Sequence, residues 1–147
     1  MSDLQDLYQQ MILDHYRSPR NCRQIEESSC SANGHNPLCG DKVAVYVNVE
    51  NGAITDVSFE GSGCAISTAS ASLMTEAVKG KSLDEAHAVF KTFHQLIAGD
   101  EAPDADLGKL EIFAGVRQYP TRVKCATLAW HTLEAALKED GSEISTE

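Results

Sequence analysis

The most constraining feature of the sequence is a run of alternating valines that ends in an Asn-Gly pair. Residues Val43, Val45, Val47 and Val49 alternate with other residues, and Asn51-Gly52 precedes a second segment of mixed apolar and polar residues, 54–59. Side chains of a β-strand point alternately to its two faces, so this spacing places the valines on one face. Asn-Gly favours the two positive-φ positions of a type I′ turn. The pattern therefore predicts a β-hairpin with one buried face.

Four further segments have the character of helices. Apolar or small residues recur at helical spacing over 4–16, 65–79, 83–98 and a last segment that begins near Thr121. Gly80 and Gly99 stand where the second and third helices would end, and glycine is the usual residue at that position. Ser82 and Glu85 have the spacing of a capping box, which predicts where the third helix starts.

The segments between these elements have no clear period. Residues 22–38 are polar and irregular and are predicted to form a loop, 100–106 is an acidic loop, and 110–120 is poorly patterned. The chain has no internal repeat and no linker-like stretch. We therefore expect one α+β domain over residues 1–147, with a small antiparallel β-sheet packed against several α-helices.

Charge and hydropathy exclude several classes of function. The 147 residues carry 12 basic and 22 acidic side chains, a net charge of −10, which disfavours binding to nucleic acid or to an anionic membrane. The alternating strand region contains no apolar stretch of the length that a bilayer requires. The first residues lack a basic region followed by an apolar one, so we expect no signal peptide and a cytoplasmic location.

The five cysteines are better explained by reactivity or metal binding than by disulfides. Their number is odd, and a reducing compartment disfavours disulfide formation. Cys22 and Cys30 lie in the polar segment without metal-binding spacing, so we interpret them as thiols outside any site. The other three are Cys39, Cys64 and Cys125.

These three cysteines and Asp41 form the candidate site. Gly40 separates Cys39 from Asp41, and Gly61 and Gly63 precede Cys64, so the backbone there can bring ligands close together. Cys64 and Cys125 fall in the first turn of predicted helices, where the helix dipole favours a thiolate. Three thiolates and a carboxylate suit a tetrahedral zinc ion, although no Cys-x-x-Cys pair is present.

Two positive residues and several histidines stand near these positions in the sequence. Arg122 and Lys124 flank Cys125 and would favour its thiolate form. His35 precedes Cys39 by four residues, but a solvated loop histidine is the simpler interpretation. His131 lies on the far side of its helix from Cys125, which excludes it as a ligand. The alternative to a metal site is buried cysteines with Asp41 at the surface.

Four ordered sequence blocks resemble one known family. They are Asn36-Pro37-Leu38-Cys39-Gly40-Asp41, Gly61-Ser62-Gly63-Cys64-Ala65-Ile66-Ser67, Lys79-Gly80-Lys81-Ser82-Leu83-Asp84-Glu85-Ala86 and Arg122-Val123-Lys124-Cys125-Ala126-Thr127-Leu128. Together they resemble the NifU N-terminal/IscU/SufU family of iron–sulfur cluster assembly proteins. The SufU branch is the more similar one. The interval between the last two cysteines is long, Lys124 replaces the histidine of IscU, and the Leu-Pro-Pro-Val-Lys segment is absent.

The resemblance implies a role in sulfur transfer. Zinc would be held by Cys39, Asp41, Cys64 and Cys125, and Cys39 would accept persulfide sulfur from a PLP-dependent, SufS-like cysteine desulfurase. A histidine of the desulfurase would replace Cys39 on zinc, and the sulfur would pass to a SufB-containing scaffold complex. Arg122 and Lys124 would support the site.

Two other functions remain open at this stage. The same ligands could assemble a [2Fe–2S] cluster on iron, which would make the protein a scaffold. Alternatively, zinc could only stabilise an interaction domain that performs no sulfur chemistry. The acidic loop, 100–106, is most simply a solvated segment, with docking to a basic patch on the desulfurase as its functional alternative.

Overall fold

A computed structural model describes residues 3–25, 28, 30–37, 40–99, 108–137 and 144–145. The elements in chain order are α1 (Asp3–Arg17), β1 (Cys30–Asn36), β2 (Asp41–Glu50), β3 (Ala53–Ser62), α2 (Ala65–Val78), α3 (Leu83–Ala98), a 3-10 helix (Gly108–Gln118), α4 (Pro120–Leu137) and β4 (Ile144–Ser145). Within these ranges, no helix combines the length and apolar character needed to cross a bilayer.

The sheet is built around the predicted hairpin. Strands β2 and β3 pair in antiparallel fashion and are joined by Asn51 and Gly52, with φ angles of 54° and 78°. These two positive angles confirm the predicted type I′ turn. The strand order is β3-β2-β1-β4; β1 runs antiparallel to β2, and the short β4 runs parallel to β1. The predicted class, an antiparallel sheet with several helices, is confirmed.

The prediction of a loop over residues 22–38 is wrong for its second half, which forms β1. Its inward-facing residues are Ala32, Gly34 and Asn36, all buried and none a large apolar side chain. A Cβ on Gly34 would collide with the Thr132 hydroxyl of α4 and approach Leu128. The strand therefore has small inward residues because α4 packs directly against it.

The helices form where the sequence predicts them. α3 begins at a capping box in which Ser82 and Glu85 bond each other's backbone N–H groups. Gly80 follows α2 with a φ of 86°, a conformation that glycine adopts without strain. The poorly patterned segment is largely a 3-10 helix, whose Leu110, Ile112, Phe113 and Val116 are buried.

The core lies between the sheet and the helices. Val43, Val45 and Val47 from β2 are buried there, while Val49 is half-buried against the core. Trp130 of α4 is fully buried, stacks on Phe93 at 4.8 Å between ring centroids, and donates its indole N–H to Ser70 Oγ at 3.1 Å. This packing fixes α4 against α2 and α3, and thereby the position of Cys125 relative to Cys64.

Candidate metal centre

Three of the four predicted ligands meet at one end of the sheet. Asp41 is the first residue of β2, Cys64 immediately precedes α2, and Cys125 lies on α4. Their ligand atoms, one carboxylate oxygen and two sulfurs, all lie within 4.8 Å of one another. In the part of the chain that the structure describes, these residues form the single such group of three or more potential metal ligands.

Asp41 is a fully buried carboxylate. Its Oδ1 accepts a hydrogen bond from the backbone N–H of Cys64 at 2.9 Å, which ties β2 to the start of α2. No lysine or arginine among the described residues forms an ion pair with it. The alternative of a surface Asp41 is therefore wrong. A buried carboxylate without an ion pair to these residues favours a cation site, because burial of an uncompensated charge is costly.

Close packing at Gly63 brings this carboxylate next to Cys64. A Cβ placed on Gly63 would lie 2.5 Å from Asp41 Oδ1 and 3.0 Å from its Cγ, closer than real Cβ contacts. The glycine preceding Cys64 is thus required by steric contact with a ligand, not by a positive φ.

Cys64 is the N-cap residue of α2. Its sulfur accepts the backbone N–H of Ser67 at 3.4 Å, as a capping serine oxygen would. The pKa of Cys64 is lowered to about 6, chiefly by a hydrogen bond from Cys125 and also by backbone N–H groups of Ser67 and Ile66. Burial and the charge of Asp41 act in the opposite direction. The hydrogen bonds to its sulfur therefore favour the thiolate form of Cys64 in the absence of a metal.

Cys125 is fully buried, but it is not in the first turn of its helix as the sequence analysis expects. α4 begins at Pro120, and the backbone N–H of Val123 already bonds the carbonyl of Tyr119, so Cys125 lies in the second turn. The dipole is felt most strongly in the first turn, so it contributes less at Cys125 than expected. The side-chain amide of Asn36 instead approaches its sulfur, with Nδ2 to Sγ at 3.6 Å.

The donor set fits a zinc ion. Zinc binds thiolate sulfur at about 2.3 Å and carboxylate oxygen at about 2.0 Å, so two sulfurs and one oxygen in tetrahedral positions lie about 3.5–3.8 Å apart. The three ligand atoms already lie within 4.8 Å, so small side-chain adjustments suffice. The chemistry fits as well, because loss of the Cys125 proton would leave two thiolates and a carboxylate close together, and a bound cation would compensate their mutual repulsion.

The other residues singled out in the sequence are placed as follows. Cys39 lies outside the described residues. Arg122 is exposed on α4 and lines a groove that reaches Cys64, while Lys124 is half-buried on the same helix. Cys22 is exposed and Cys30 begins β1, and neither belongs to the metal-ligand group.

Neither His35 nor His131 belongs to this group. His35 is on β1 opposite Lys42, so the expectation of a loop position is wrong. His131 packs edge-on against Phe90 at 5.1 Å between ring centroids, which agrees with its exclusion as a ligand.

A groove lies beside Cys64. It has a volume of about 920 Å³ and is lined mainly by apolar residues of α1, the start of α2 and the 3-10 helix. Ile12, Ile66, Val116 and Tyr119 contribute its walls. The site is therefore buried on the side of Asp41 and Cys125 and open on the side of Cys64.

Sequence reasoning missed one residue of the site, Asn36. The signal is its position at the start of the sequence block Asn36-Pro37-Leu38-Cys39-Gly40-Asp41, five residues before a predicted ligand. Its side chain is fully buried beside two predicted ligands.

Fold and site together define a small α+β domain with a group of two cysteines and an aspartate that could hold a metal ion. The chain belongs to the family described as the NifU-like N terminal domain, whose sequence pattern matches residues 7–126. It is 42% identical over 142 residues to a protein of Bacillus subtilis named "Zinc-dependent sulfurtransferase SufU", with 95% of this chain and 96% of the relative aligned.

Two further comparisons agree with this assignment. "Iron-sulfur cluster assembly scaffold protein IscU" of Streptococcus pyogenes is 40% identical over 143 residues, which cover 97% of this chain and 89% of the relative. The crystal structure of a putative SUF-system scaffold protein (FiSufU) from Fervidobacterium islandicum superposes with a TM-score of 0.82 at 39% identity, covering 86% of this chain and 93% of that one.

Proposed function

We propose that this chain is a cytoplasmic, zinc-dependent sulfur carrier of iron–sulfur cluster assembly. It takes persulfide sulfur from a SufS-like, PLP-dependent cysteine desulfurase and delivers it to a SufB-containing scaffold complex. The observation that carries the proposal is the Asp41, Cys64 and Cys125 cluster, together with 42% identity to a relative named a zinc-dependent sulfurtransferase.

The proposed ligand set is Cys39, Asp41, Cys64 and Cys125. Cys39 precedes Asp41 by two positions, and Gly40 between them has a φ of 72°, a sharp local turn that glycine permits. Zinc, when bound, keeps the thiols deprotonated without oxidising them. Three ligands come from fixed elements of the fold, and the fourth, Cys39, is the one proposed to exchange.

The proposed reaction is a thiolate–persulfide exchange at Cys39. The Cys39 thiolate attacks the terminal sulfur of the desulfurase persulfide, forms a new S–S bond and displaces the desulfurase cysteine as a thiolate. One sulfur atom changes carrier, and no external oxidant or reductant is consumed. Asp41, Cys64 and Cys125 remain in place through this exchange.

Arg122 is proposed to bind the incoming negative charge. Its side chain is exposed and lines the groove beside Cys64, where a persulfide would arrive. A guanidinium there offers several N–H donors to an anionic sulfur. Lys124, half-buried on the same helix, is proposed to add positive charge near the site.

The test combines metal analysis with a desulfurase assay on wild type, Cys39→Ala and Cys22→Ala. We expect one zinc per chain in the wild type, faster cysteine turnover when it is added to the desulfurase, and an added sulfur on Cys39 by mass spectrometry. Cys22→Ala, which removes an exposed thiol outside the metal-ligand group, should behave as wild type. Undiminished stimulation by Cys39→Ala would contradict the assignment.

A second candidate is a scaffold that assembles a [2Fe–2S] cluster on the same side chains. The observation in its favour is 40% identity to a relative named IscU scaffold protein, over 97% of this chain. The sequence feature against it is Lys124, since a protonated lysine offers iron no lone pair where a histidine would. Anaerobic reconstitution followed by intact cluster transfer to an apo-ferredoxin would favour the scaffold over the carrier.

A further inference from the structure

Asn36 is a buried polar residue on a strand whose other inward residues are small and have no polar side chain. It ends β1, directly opposite Asp41 in the β1–β2 register, and it is fully buried. The other inward residues of this strand are Ala32 and Gly34. An amide at this point must satisfy its polar atoms or carry a desolvation cost.

The amide nitrogen of Asn36 faces two of the proposed ligands at once. Nδ2 lies 3.5 Å from Asp41 Oδ2 and 3.6 Å from Cys125 Sγ. The sulfur distance is ordinary for a hydrogen bond to that larger atom, and the carboxylate distance is long. With the amide turned over, its oxygen would face two anionic groups, so electrostatics favours the nitrogen on this side.

The two oxygens of Asp41 therefore have different neighbours. Oδ1 accepts the backbone N–H of Cys64, and Oδ2 faces Asn36. Two neighbours on two oxygens define the plane of the carboxylate. Groups that hydrogen-bond metal ligands from outside in this way orient those ligands and raise the affinity for the metal.

We propose that Asn36 is a positioning residue of the metal centre: its amide N–H group orients the Asp41 carboxylate and donates to the Cys125 thiolate. Asn36 does not itself bind the metal. As a neutral donor it stabilises two anionic ligands without a positive charge that would compete with the cation. This inference rests on the proposed function only in requiring a metal at this site, not on sulfur transfer.

The experiment measures zinc affinity and the spectrum of the cobalt(II)-substituted protein. Asn36→Leu keeps the approximate shape of the side chain without its donor, and Asn36→Ala removes the donor with less steric risk. The matched control is Asn33→Leu, the same change on the exposed face of the same strand. Zinc affinity is obtained by competition with a chromophoric chelator, and folding of each metal-free variant is checked by circular dichroism.

We expect the Asn36 variants to bind zinc about tenfold more weakly, with Asn33→Leu unchanged. The sulfur-to-cobalt charge-transfer band should move to longer wavelength, because a thiolate that loses a hydrogen bond has higher-energy lone pairs. A residue that served folding alone would leave the position of this band unchanged.

The outcomes separate this inference from the proposed function. Wild-type affinity and an unshifted band in either folded Asn36 variant overturn the positioning role while leaving the carrier function intact. If Asn36→Leu does not fold, Asn36→Ala decides in the same way. A wild-type protein that binds neither zinc nor cobalt overturns both proposals.

Discussion

At the scale of single residues, the site depends on a carboxylate that links two elements. Asp41 presents one oxygen to the backbone of Cys64 and the other to Asn36, and it is fully buried. A cysteine in its place would give a softer, more closed zinc site. The harder carboxylate is the weaker partner of a soft site, which suits the ligand exchange proposed for this centre.

Replacement of Asp41 should make the metal easier to remove. Asp41→Ala removes a ligand and also the acceptor of the Cys64 N–H, so both the coordination and the local backbone are weakened. We expect loss of zinc to a chelator to be faster by about tenfold or more. The control is Asp84→Ala, an exposed carboxylate in the first turn of α3. Equal release rates for Asp41→Ala and wild type would mean that Asp41 is not a ligand.

Gly63 gives a second prediction at this scale. Gly63→Ala would place a methyl group 2.5 Å from Asp41 Oδ1, so the carboxylate or the loop must shift. We expect weaker zinc binding and a lower melting temperature. Gly115→Ala is the matched control, because a Cβ there meets nothing within 4 Å. The comparison is made by chelator competition and thermal unfolding; identical behaviour of the two variants would contradict the steric argument.

At the scale of elements, the β2–β3 hairpin and α3 could be predicted from the sequence, whereas β1, whose inward side chains are small, could not. The β2–β3 hairpin follows from alternating valines and an Asn-Gly turn, and α3 follows from its capping box. The sequence of β1 lacks the alternating large apolar residues that would predict a strand. One reason is Gly34, where a larger side chain would collide with Thr132 of α4. Close packing between a strand and a helix selected residues that resemble those of a loop.

The same limit applies to the site. Its cysteines and Asp41 could be predicted from flanking glycines and from the resemblance, because those signals are local. The contribution of Asn36 could not, because its contacts with Asp41 and Cys125 depend on the register of β1 and on the packing of α4. The position of Cys125 in the second turn of α4 was also missed, because it depends on the exact first residue of the helix, which is Pro120.

Cys64, the N-cap residue of α2, should react with alkylating agents in a pH-dependent way. In the metal-free protein, hydrogen bonds from Cys125 and from backbone N–H groups lower the pKa of Cys64 to about 6. The reactive thiolate should therefore persist at neutral pH, and alkylation by iodoacetamide should slow only as the pH falls through about 6. Burial and the nearby Glu60 raise the pKa of Cys22, so its alkylation should accelerate only at alkaline pH.

Both thiols can be followed in one sample by peptide mass spectrometry, with Cys22 as the internal control. Cys125→Ala removes the largest cause of the shift and should move the Cys64 midpoint to higher pH. A Cys64 profile that coincides with that of Cys22 would contradict the proposed network.

At the scale of the whole molecule, the metal-ligand group connects parts of the chain that are far apart in sequence. Asp41 belongs to the hairpin, Cys64 to the start of α2 and Cys125 to α4, whose Trp130 is in the centre of the core. A metal bound to all three would oppose the separation of the sheet from the helices. We therefore expect metal binding to be coupled to folding, because the unfolded chain has no preformed site.

This coupling predicts that a chelator lowers the stability of the protein. At a zinc concentration 100 times the dissociation constant, binding contributes about 2.7 kcal/mol, which corresponds to roughly 5 to 10 °C in the melting temperature of a domain of this size. The measurement is thermal unfolding with and without EDTA. Cys125→Ala should lose most of the difference, because it removes a buried ligand, whereas Cys22→Ala should keep it in full. An EDTA effect of equal size in wild type and Cys125→Ala would mean that the ion stabilises the fold from somewhere other than this site.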